Sequence, residues 1–303
     1  MEIRQLECFL EVCKELHFTR AAENLNISQP SLSQQIKNLE FEVGVPLFDR
    51  IGKRTALTEA GKILRHHSQR IFFELEQARS ALQDLNGLQR GKLTIGSLLT
   101  TTHYLLPQVI FNFKKMYPNI ALTVLGMRTG KIKKEILENN LDLGITFLPI
   151  ENDELETISL FTEELALALP INHSLTNVEE IEWKVIEQIQ TVLLPENYYL
   201  RMLIQSYCNE AGVYLKPTLE MTTLESIVQM VSEGIGATIL PVPYLDFINN
   251  DKIVTVKLVN PTPMRQIGLL YRKDKYMCTA TQIFINQLVD ISKSLNIYKQ
   301  EAK

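Results

Sequence analysis

The sequence predicts an all-α N-terminal domain of the winged helix-turn-helix type, one long helix after it, and an α/β domain at the C-terminal end. Residues 18–37 have the pattern of two short helices joined by a tight turn. Residues 58–85 repeat apolar side chains at alternating spacings of four and three. From residue 92 onward short apolar runs alternate with amphipathic segments, which is typical of a sheet covered by helices on both faces. A length of 303 residues fits about two domains.

The predicted N-terminal domain contains three helices. Thr19 is a candidate N-cap for the second helix and Ser28 for the third. Pro30 falls in the first turn after Ser28, where a missing N–H group costs little. The first helix is amphipathic, with an apolar face of Ile3, Leu6, Phe9, Leu10, Cys13 and Leu16. The third helix has an apolar stripe at spacings of four, three and four, formed by Leu32, Ile36, Leu39 and Val43.

The opposite face of the third helix has mostly short polar side chains and almost no acidic residues. A DNA major groove admits one helix, and Gln, Ser and Lys side chains suit the hydrogen-bonding groups on base edges. This face therefore predicts a recognition helix. The alternative is an ordinary pair of helices with a solvated polar face. The residues expected to contact DNA on the second and third helices are Thr19, Arg20, Ser28, Gln29, Pro30, Ser31, Ser33, Gln34 and Lys37.

A short basic segment follows the third helix. Arg50, Lys53 and Arg54 flank a turn at Gly52, as in a wing that touches the DNA backbone. The whole chain has a formal net charge of -4, but residues 50–70 contain six Lys and Arg against the single acid Glu59. Such a patch can neutralise phosphates, and the alternative is a solvated charged face. The three flanking residues are expected on the DNA backbone.

The run from residue 21 to residue 61, AAxxLxxSQPSLSQQIKxLExxxGxxLFxRxxxxxxLTxAG, resembles the LysR-type transcriptional regulators. One departure is Ile51-Gly52, where many members carry another basic or polar residue. The resemblance implies a dimeric, cytoplasmic bacterial DNA-binding protein with a domain for a small-molecule effector. Its implied partners are double-stranded operator DNA, a second copy as homodimer or dimer of dimers, and RNA polymerase. Activation of a metabolic operon is the commoner behaviour in the family, with autorepression beside it.

A long helix is predicted to begin after Thr58, its candidate N-cap. The spacing is a heptad pattern with one polar member, over about three heptads. A single globular helix drifts off a strict 3.5-residue period, so a coiled-coil dimerisation helix is favoured over a lone surface helix. A two-fold dimer would match an operator with two-fold symmetry. The seam consists of Leu64, Ser68, Ile71, Leu75, Ala78, Leu82 and Leu85.

Residues 86–91 are polar and contain two glycines, so they predict a hinge before the C-terminal domain. The predicted domain boundaries are therefore 1–58, 59–91 and 92–303. Strands are expected at residues 93–96, 120–125, 141–147, 191–194, 218–221 and 237–240. Helices are expected at residues 104–116, 129–138, 200–211, 224–233 and 279–294.

The runs at residues 142–145 and 231–241 fit the C-terminal domain of the LysR family. The resemblance implies a periplasmic-binding-protein-like fold of two lobes. The first lobe would contain about 93–163 and 268–303, and the second about 164–267. The chain would cross between them near residues 160–166 and 265–270. Within the family, the segments GITFLP and YCNEAG look most like the cyanate-regulator subgroup.

Hydroxyl side chains cluster where the predicted strands end. In open α/β sheets ligands bind outside the carboxyl ends of the strands, and unpaired N–H groups at helix N-termini suit a small anion. The family's effector cleft implies the same positions, with Thr100 and Thr129 best matched. The alternative for each threonine is an N-cap without a binding role. The residues expected to bind an anionic effector are Thr100, Thr101, Thr102, Thr129, Thr146, Phe147, Tyr199 and Thr222.

Enzymatic, metal-binding and membrane functions find little support in the sequence. No nucleophile elbow, HExxH, P-loop or GxGxxG pattern occurs, and no catalytic site, metal or cofactor is expected. The four cysteines form no CxxC pair, so reduced buried thiols are favoured over a redox switch. No run approaches the ~18 apolar residues of a membrane span, which favours a cytoplasmic protein. The other function kept open is a solute-binding or ligand-transforming protein that uses the two-lobed domain without DNA regulation.

Overall fold

The computed structural model of the chain describes residues 1–51, 54–85 and 91–297. At residues 50, 51, 54, 83–85 and 296–297 it describes the backbone alone. The chain forms two compact units, Met1–Leu82 and Gln83–Lys303. The predicted hinge at residues 86–91 falls almost entirely outside the described residues.

The N-terminal unit is a three-helix core followed by a two-stranded hairpin and a long helix. One buried cluster joins the three helices to the start of the hairpin, and it includes Leu6, Phe9, Leu32, Leu39 and Phe48. The two strands pair antiparallel from Phe48↔Leu57 to Ile51↔Arg54. The elements are α1 (Ile3–Glu15), α2 (Phe18–Asn24), α3 (Gln29–Val43), β1 (Phe48–Ile51), β2 (Arg54–Leu57) and α4 (Glu59–Leu85).

The third helix begins and ends where its local sequence predicts. The Ser28 hydroxyl accepts a hydrogen bond from the Ser31 backbone N–H at 3.3 Å, and Pro30 lies in the first turn. This arrangement confirms Ser28 as the N-cap. At the other end, Gly44 has a left-handed φ of 76°, a conformation that glycine adopts without steric cost.

The predicted N-cap of the second helix is wrong. The helix already includes Thr19, because it begins at Phe18. Its N-cap is His17, whose Nδ1 accepts from the Arg20 backbone N–H at 3.4 Å. The His17 imidazole takes the capping role that a hydroxyl or carboxylate usually has. A prediction from residue type therefore placed the N-cap two positions too late.

The hairpin and α4 are joined closely at Gly61. The Thr58 hydroxyl accepts from the Gly61 backbone N–H at 2.9 Å and donates to the Pro46 carbonyl at 2.8 Å. A Cβ atom at Gly61 would clash with the backbone oxygen of Leu47 and lie 2.7 Å from a methyl group of Leu57. Glycine is therefore required by the close approach of α4 to the preceding loop.

The two halves of α4 have different surroundings within the N-terminal unit. In the first half, Leu64 and Ile71 pack against the three-helix core, and Ser68 is fully buried. In the second half, Leu75 and Leu82 are 38% and 61% exposed. The predicted heptad seam therefore has two parts. Its first members pack against the core of their own chain, and only its later members remain exposed for a partner helix.

The C-terminal unit is an α/β structure. Its strands are β3 (Gly91–Ser97), β4 (Ile120–Gly126), β5 (Leu143–Leu148), β6 (Leu155–Pro170), β7 (Glu180–Glu182), β8 (Val192–Leu193), β9 (Leu219–Glu220), β10 (Thr238–Pro241), β11 (Ile253–Val259) and β12 (Met264–Arg272). Its helices are α5 (Thr101–Tyr104), α6 (Leu106–Met116), α7 (Thr129–Leu137), α8 (Trp183–Ile186), α9 (Tyr199–Glu210), α10 (Leu224–Ser232), α11 (Val242–Ile248) and α12 (Thr279–Ile297).

Two hydrophobic cores divide this unit into two lobes. One buried cluster extends from Leu93 to Phe161 and resumes from Ile267 to Leu288. The other extends from Leu165 to Leu258. The strands of the first lobe have the order β4-β3-β5-β12-β6, and the second lobe continues from β6 through β11 to β7, with β10 also paired to β6.

The strand β6 extends from one lobe into the other, and β12 begins where the two lobes meet. β12 pairs antiparallel with β6 from Met264↔Glu164 to Arg272↔Leu155. Beyond this point β6 pairs with β10 and β11 from Leu165 onward. The lobes therefore meet at the cross-strand pair Arg265↔Glu163.

Some elements differ from the sequence prediction. The helix expected at residues 104–116 is divided into α5 and α6. The long strands β6, β11 and β12 were not predicted. The second half of β6, EELALALP, is rich in Glu, Leu and Ala, which are poor strand formers outside a buried sheet. No helix in the described part of the chain is long and apolar enough to cross a membrane.

The replacement Gly61→Ala is expected to destabilise the N-terminal unit by about 1–3 kcal/mol, because the added methyl group overpacks the contact with Leu47. The chain has one tryptophan, Trp183, which lies buried in the C-terminal unit. In urea denaturation, the circular dichroism transition should therefore shift while the Trp183 fluorescence transition stays in place. Gly130→Ala is the control, because its added Cβ meets nothing within 4 Å. An equal shift of both signals for Gly61→Ala would contradict a local clash.

Candidate functional site

The exposed face of α3 is the first candidate site. Gln34 and Lys37 lie opposite the buried stripe of this helix, and both are exposed. Gln29, Pro30 and Ser31 are exposed in its first turn. The predicted contact residues of α3 therefore share one surface, except that Ser33 is half-buried.

Two hydrogen bonds between side chains run along this face. Gln29 Nε2 donates to Ser33 Oγ at 2.8 Å, and Gln34 Nε2 donates to Asn38 Oδ1 at 2.8 Å. Each glutamine keeps its amide oxygen available as an acceptor. Asn38 extends the amide-bearing surface by one turn, although it was not among the residues predicted from the sequence. Exposed bonds of this kind exchange with water or base edges at little cost.

The N-terminal end of α2 adds Thr19 and Arg20, which are both exposed. The Arg20 guanidinium is held by Glu15: Nη2 donates to the Glu15 carbonyl at 2.8 Å, and Nε lies 3.3 Å from the Glu15 carboxylate. The Ser28 hydroxyl is occupied as the α3 cap. A contact of Arg20 or Ser28 with DNA would therefore have to share or replace these bonds.

The predicted wing contacts fall at the tip of the β1–β2 hairpin. Arg50 and Arg54 lie on the paired strands, where Arg50 faces Thr55 in the register and Arg54 faces Ile51. Only their backbone is described, and Lys53 lies outside the described residues. Contacts of these three side chains with DNA stay a prediction.

The second candidate site is a pocket in the C-terminal unit, with about 480 Å³ of empty space when its opening to solvent is counted. Residues of both lobes and of the crossing strand β12 form its walls. The first lobe contributes Leu98, Leu99, Thr100, Met127, Arg128, Thr129 and Phe147. The second lobe contributes Leu194, Tyr198, Tyr199, Leu200 and Leu224, and β12 contributes Arg265.

Most of the pocket wall is apolar, and its polar groups are few. The Thr100 hydroxyl accepts from Arg265 Nη2 at 3.0 Å. The Thr129 hydroxyl is buried at the start of α7 and has no hydrogen-bond partner among the described residues. Arg128 is exposed, its guanidinium lies 4.0 Å from the centre of the Tyr198 ring, and no described carboxylate lies within 4.0 Å of it.

A buried ion pair lies behind the pocket. Arg265 Nε donates to the carboxylate of Glu163, and the two side chains are 2% and 1% exposed. The Tyr104 hydroxyl donates to the other oxygen of Glu163 at 2.6 Å. Burial, together with the charge of Glu163, raises the pKa of Tyr104 well above its usual value, so this hydroxyl stays a proton donor. The Arg265 guanidinium also lies 4.7 Å from the centre of the Phe147 ring.

Two aromatic side chains close one side of the pocket across the lobes. Phe147 of the first lobe and Tyr199 of the second stack with ring centroids 4.2 Å apart and planes 16° from parallel. Tyr199 is exposed, like Leu99 and Arg128 of the same wall. Phe147 and Tyr199 were among the residues predicted from the sequence, together with Thr100 and Thr129, which also line the pocket.

Four of the predicted residues do not line this pocket. Thr101 and Thr102 use their hydroxyls on backbone carbonyls of the preceding loop, in the first turn of α5. Thr146 is fully buried, and alternation along β5 directs it away from the face that carries Phe147. Thr222 is exposed, and its carbonyl accepts from the Tyr198 hydroxyl at 3.3 Å.

The charged residues of the pocket were not among those predicted from the sequence. Arg128 adjoins Thr129, so the basic side chain at the start of α7 was a signal that could have been read. Arg265 and Glu163 carried no such signal, because their pairing depends on the register of β6 and β12.

The cysteines show no feature of a reactive site. Burial raises the pKa of Cys13 to about 12 and that of Cys208 to about 11, and it also raises the pKa of Cys8. These thiols therefore remain protonated at neutral pH, and a protonated thiol is a poor nucleophile.

Cys278 is half-buried, and its Sγ lies 3.2 Å from the Thr281 hydroxyl. Over the described ranges, no three His, Cys, Asp or Glu side chains are grouped as a metal site.

Two family models match the chain. Residues 3–62 match the bacterial regulatory helix-turn-helix protein, lysR family, and residues 86–292 match the LysR substrate binding domain. The transcriptional regulator AlsR of Bacillus subtilis is 32% identical, over 91% of this chain and 92% of its own. The probable RuBisCO transcriptional regulator of Trichormus variabilis is 30% identical, over 94% of this chain and 87% of its own.

Solved structures have the same fold over nearly the whole chain. A full-length OxyR variant of Pseudomonas aeruginosa has a TM-score of 0.73 at 25% identity, and covers 97% of this chain and 95% of its own. Full-length CbnR in complex with its target DNA has a TM-score of 0.68 at 20% identity, and covers 96% and 100%. At this identity the CbnR likeness shows the fold alone.

These matches decide between the functions left open by the sequence. The match to the helix-turn-helix model excludes the alternative of a solute-binding or ligand-transforming protein without DNA regulation. The relatives are transcriptional regulators rather than enzymes. None of the relatives named above is a cyanate regulator, so that subgroup stays a prediction. The chain belongs to the LysR family: it is a DNA-binding transcriptional regulator with an N-terminal helix-turn-helix domain and a C-terminal effector-binding domain.

Proposed function

We propose that this regulator responds to a small organic anion bound in the pocket between its two lobes. The observation that carries the proposal is the unpaired Thr129 hydroxyl beside Arg128, in a pocket whose other walls are largely apolar. A buried hydroxyl without a partner costs free energy, and a ligand oxygen would remove that cost.

The preference for an anion comes from the start of α7. Arg265 also lines the pocket, but Glu163 already neutralises it. Arg128 is the lining cation that no described carboxylate approaches within 4.0 Å. The N-terminal N–H groups of α7 add partial positive charge at the same end. A carboxylate or similar group is proposed to lie there.

The preference for an organic ligand comes from the remaining walls. Met127, Leu194 and Leu224 present only apolar atoms, and the stacked rings of Phe147 and Tyr199 form one side. A bare inorganic ion would leave these walls without contacts. A ligand with a small apolar body beside its charged group would contact both parts of the pocket.

The proposed response follows from linkage between binding and conformation. A ligand that contacts both lobes favours one arrangement of them, and it can shift that balance only by its differential affinity, typically ~1–3 kcal/mol. We propose that residues 86–92 pass the change to α4, which alters the spacing of two recognition helices on an operator with two-fold symmetry. The proposed outcome is activation through RNA polymerase at a metabolic operon, with autorepression of its own gene, in the cytoplasm.

The replacement Gln34→Ala tests the recognition helix. Because an amide can pair with an adenine edge, its loss is expected to cost about 1–3 kcal/mol on the operator and little on random DNA. Binding to both DNAs would be measured by fluorescence anisotropy at fixed salt. Gln108→Ala, which removes an exposed amide from α6, is the control and should change neither affinity. Equal losses on both DNAs for Gln34→Ala would remove its base-reading role.

The effector site can be tested with a thermal-shift screen of small organic and inorganic anions on the full chain. Thr129→Val and Thr100→Val keep the side-chain shape and remove one hydroxyl each. For any anion that stabilises the protein, each change is expected to cost about 1.5–3 kcal/mol of binding, because a charged group loses a hydrogen bond. Thr102→Val is the matched control, since Thr102 does not line the pocket. If stabilisation survived in both pocket variants, the site would lie elsewhere.

Assembly through the second half of α4 is a separate prediction. Leu75 is apolar, partly exposed and at a seam position. Leu75→Lys would place a charge in a dimer seam, so it is expected to shift the protein to smaller species in sedimentation velocity. Glu74→Lys introduces the same residue one position away, on the polar side, and should leave the sedimentation coefficient unchanged. The seam assignment fails if Leu75→Lys sediments like the unchanged protein.

A further inference from the structure

A buried arginine in the second lobe lacks a counter-ion. Arg201 lies in the first turn of α9 and is 2% exposed. Its Nη1 donates to Gln205 Oε1 at 2.9 Å. Its Nε is buried without any hydrogen-bond partner among the described residues, and no described carboxylate lies within 4.0 Å of the guanidinium.

This arrangement is costly for an isolated protein chain. A guanidinium keeps its positive charge in proteins. A buried charge without a partner destabilises the fold, whereas one that is paired and hydrogen-bonded is tolerated. A neutral neighbour such as Gln205 satisfies one N–H group but does not compensate the charge. An anion from outside the chain would compensate it.

A groove beside Arg201 can admit such an anion. The groove follows one face of α9, and its walls are Glu196, Arg201, Met202, Gln205, Ser206 and Asn209. It shares no residue with the pocket between the lobes. Arg201 therefore faces a solvent-open groove although nearly all of its surface is buried.

Neighbouring amides in the groove are oriented as donors. Gln205 accepts from Arg201 through Oε1 and donates through Nε2 to Asn209 Oδ1, at 3.0 Å. This chain leaves the Asn209 amide N–H groups available at the groove surface. The N-terminal turn of α9, a helix of 12 residues, adds partial positive charge at the Arg201 end of the groove alone, because Asn209 lies in the last turn. The one acid of the wall, Glu196, is exposed at the rim.

We propose that this groove is a second anion site, which binds a small oxyanion such as inorganic phosphate between Arg201 and Asn209. The oxyanion accepts from the guanidinium of Arg201, which lines the groove and has no counter-ion among the described residues, and from the Asn209 amide. Glu196 weakens this binding by repulsion. The site is independent of the effector pocket, and the proposal holds whichever ligand that pocket takes.

The test is a titration of the full chain with inorganic phosphate, followed by thermal shift, against sodium chloride at matched ionic strength. Because an ion that binds only the folded state stabilises it, the melting midpoint should rise saturably with phosphate. Asn209→Asp replaces a donor with a like charge at an exposed position. It is expected to weaken phosphate binding about tenfold or more.

Further variants assign the effect to this groove. Arg201→Met should abolish the phosphate response, and Glu196→Gln should strengthen it. Thr100→Val, in the pocket between the lobes, should leave it unchanged. If Arg201→Met does not fold, the opposite effects expected for the exposed variants Asn209→Asp and Glu196→Gln still test the site.

Three outcomes would overturn the proposal. One is a phosphate response no larger than that of chloride. Another is a saturable response that Asn209→Asp and Glu196→Gln both leave unchanged, which would place the ion elsewhere. The third is no phosphate response together with a changed sedimentation coefficient for Asn209→Asp. In that case the groove would bind a second copy of this chain rather than a small ion.

Discussion

The ion pair between Glu163 and Arg265 is the contact on which the C-terminal unit depends. The two residues face each other across β6 and β12, at the position where β6 leaves one hydrophobic core and enters the other. Both are almost fully buried. A buried ion pair of this kind adds little net stability, but removal of one partner typically costs about 3–5 kcal/mol because the other charge is left alone. It therefore fixes which residues of the two strands can face each other.

The same pair arranges the pocket wall. Glu163 accepts from Tyr104, and Arg265 donates to Thr100 and lies against Phe147. Arg265 thus has its charge compensated by Glu163, and two of its nitrogens, Nε and Nη2, are engaged before any ligand enters. At the other end of the pocket, Arg128 has no described carboxylate within 4.0 Å and the Thr129 hydroxyl has no hydrogen-bond partner among the described residues.

Local signals explain why the N-terminal unit was largely predictable. Ser28, Pro30 and Gly44 define the ends of α3 through contacts within a few residues. The N-cap role of His17 was not predicted because an imidazole cap is unusual. Its partner, the Arg20 backbone N–H, is only three residues away. The division of the α4 seam was not predictable, since heptad spacing is the same whether the partner is a second helix or the core of the same chain.

The C-terminal site was predictable only at the level of strand ends. Thr100 and Thr101 follow the same strand, yet one lines the pocket and the other bonds to a backbone carbonyl, because a rotation of about 100° per helical residue separates them. Arg265 is 165 residues from the threonine to which it donates. A pairing of that kind requires the register of the sheet, which residue patterns in β6 do not reveal.

The division of α4 also bears on the proposed assembly. If Leu64 and Ile71 serve the core of their own chain, only the second half of the helix remains for a partner. Residues 72–85 make about four helical turns, which is a short seam for the roughly 1,200–2,000 Å² of a stable interface, so we expect the proposed dimer to need a further surface. Phe111, on α6 of the other compact unit, is 70% exposed and offers apolar area for one. Two weak interfaces on separate units reinforce each other only when their geometry allows both to form. Under the mechanism proposed above, a ligand would then act by changing how well two copies fit together.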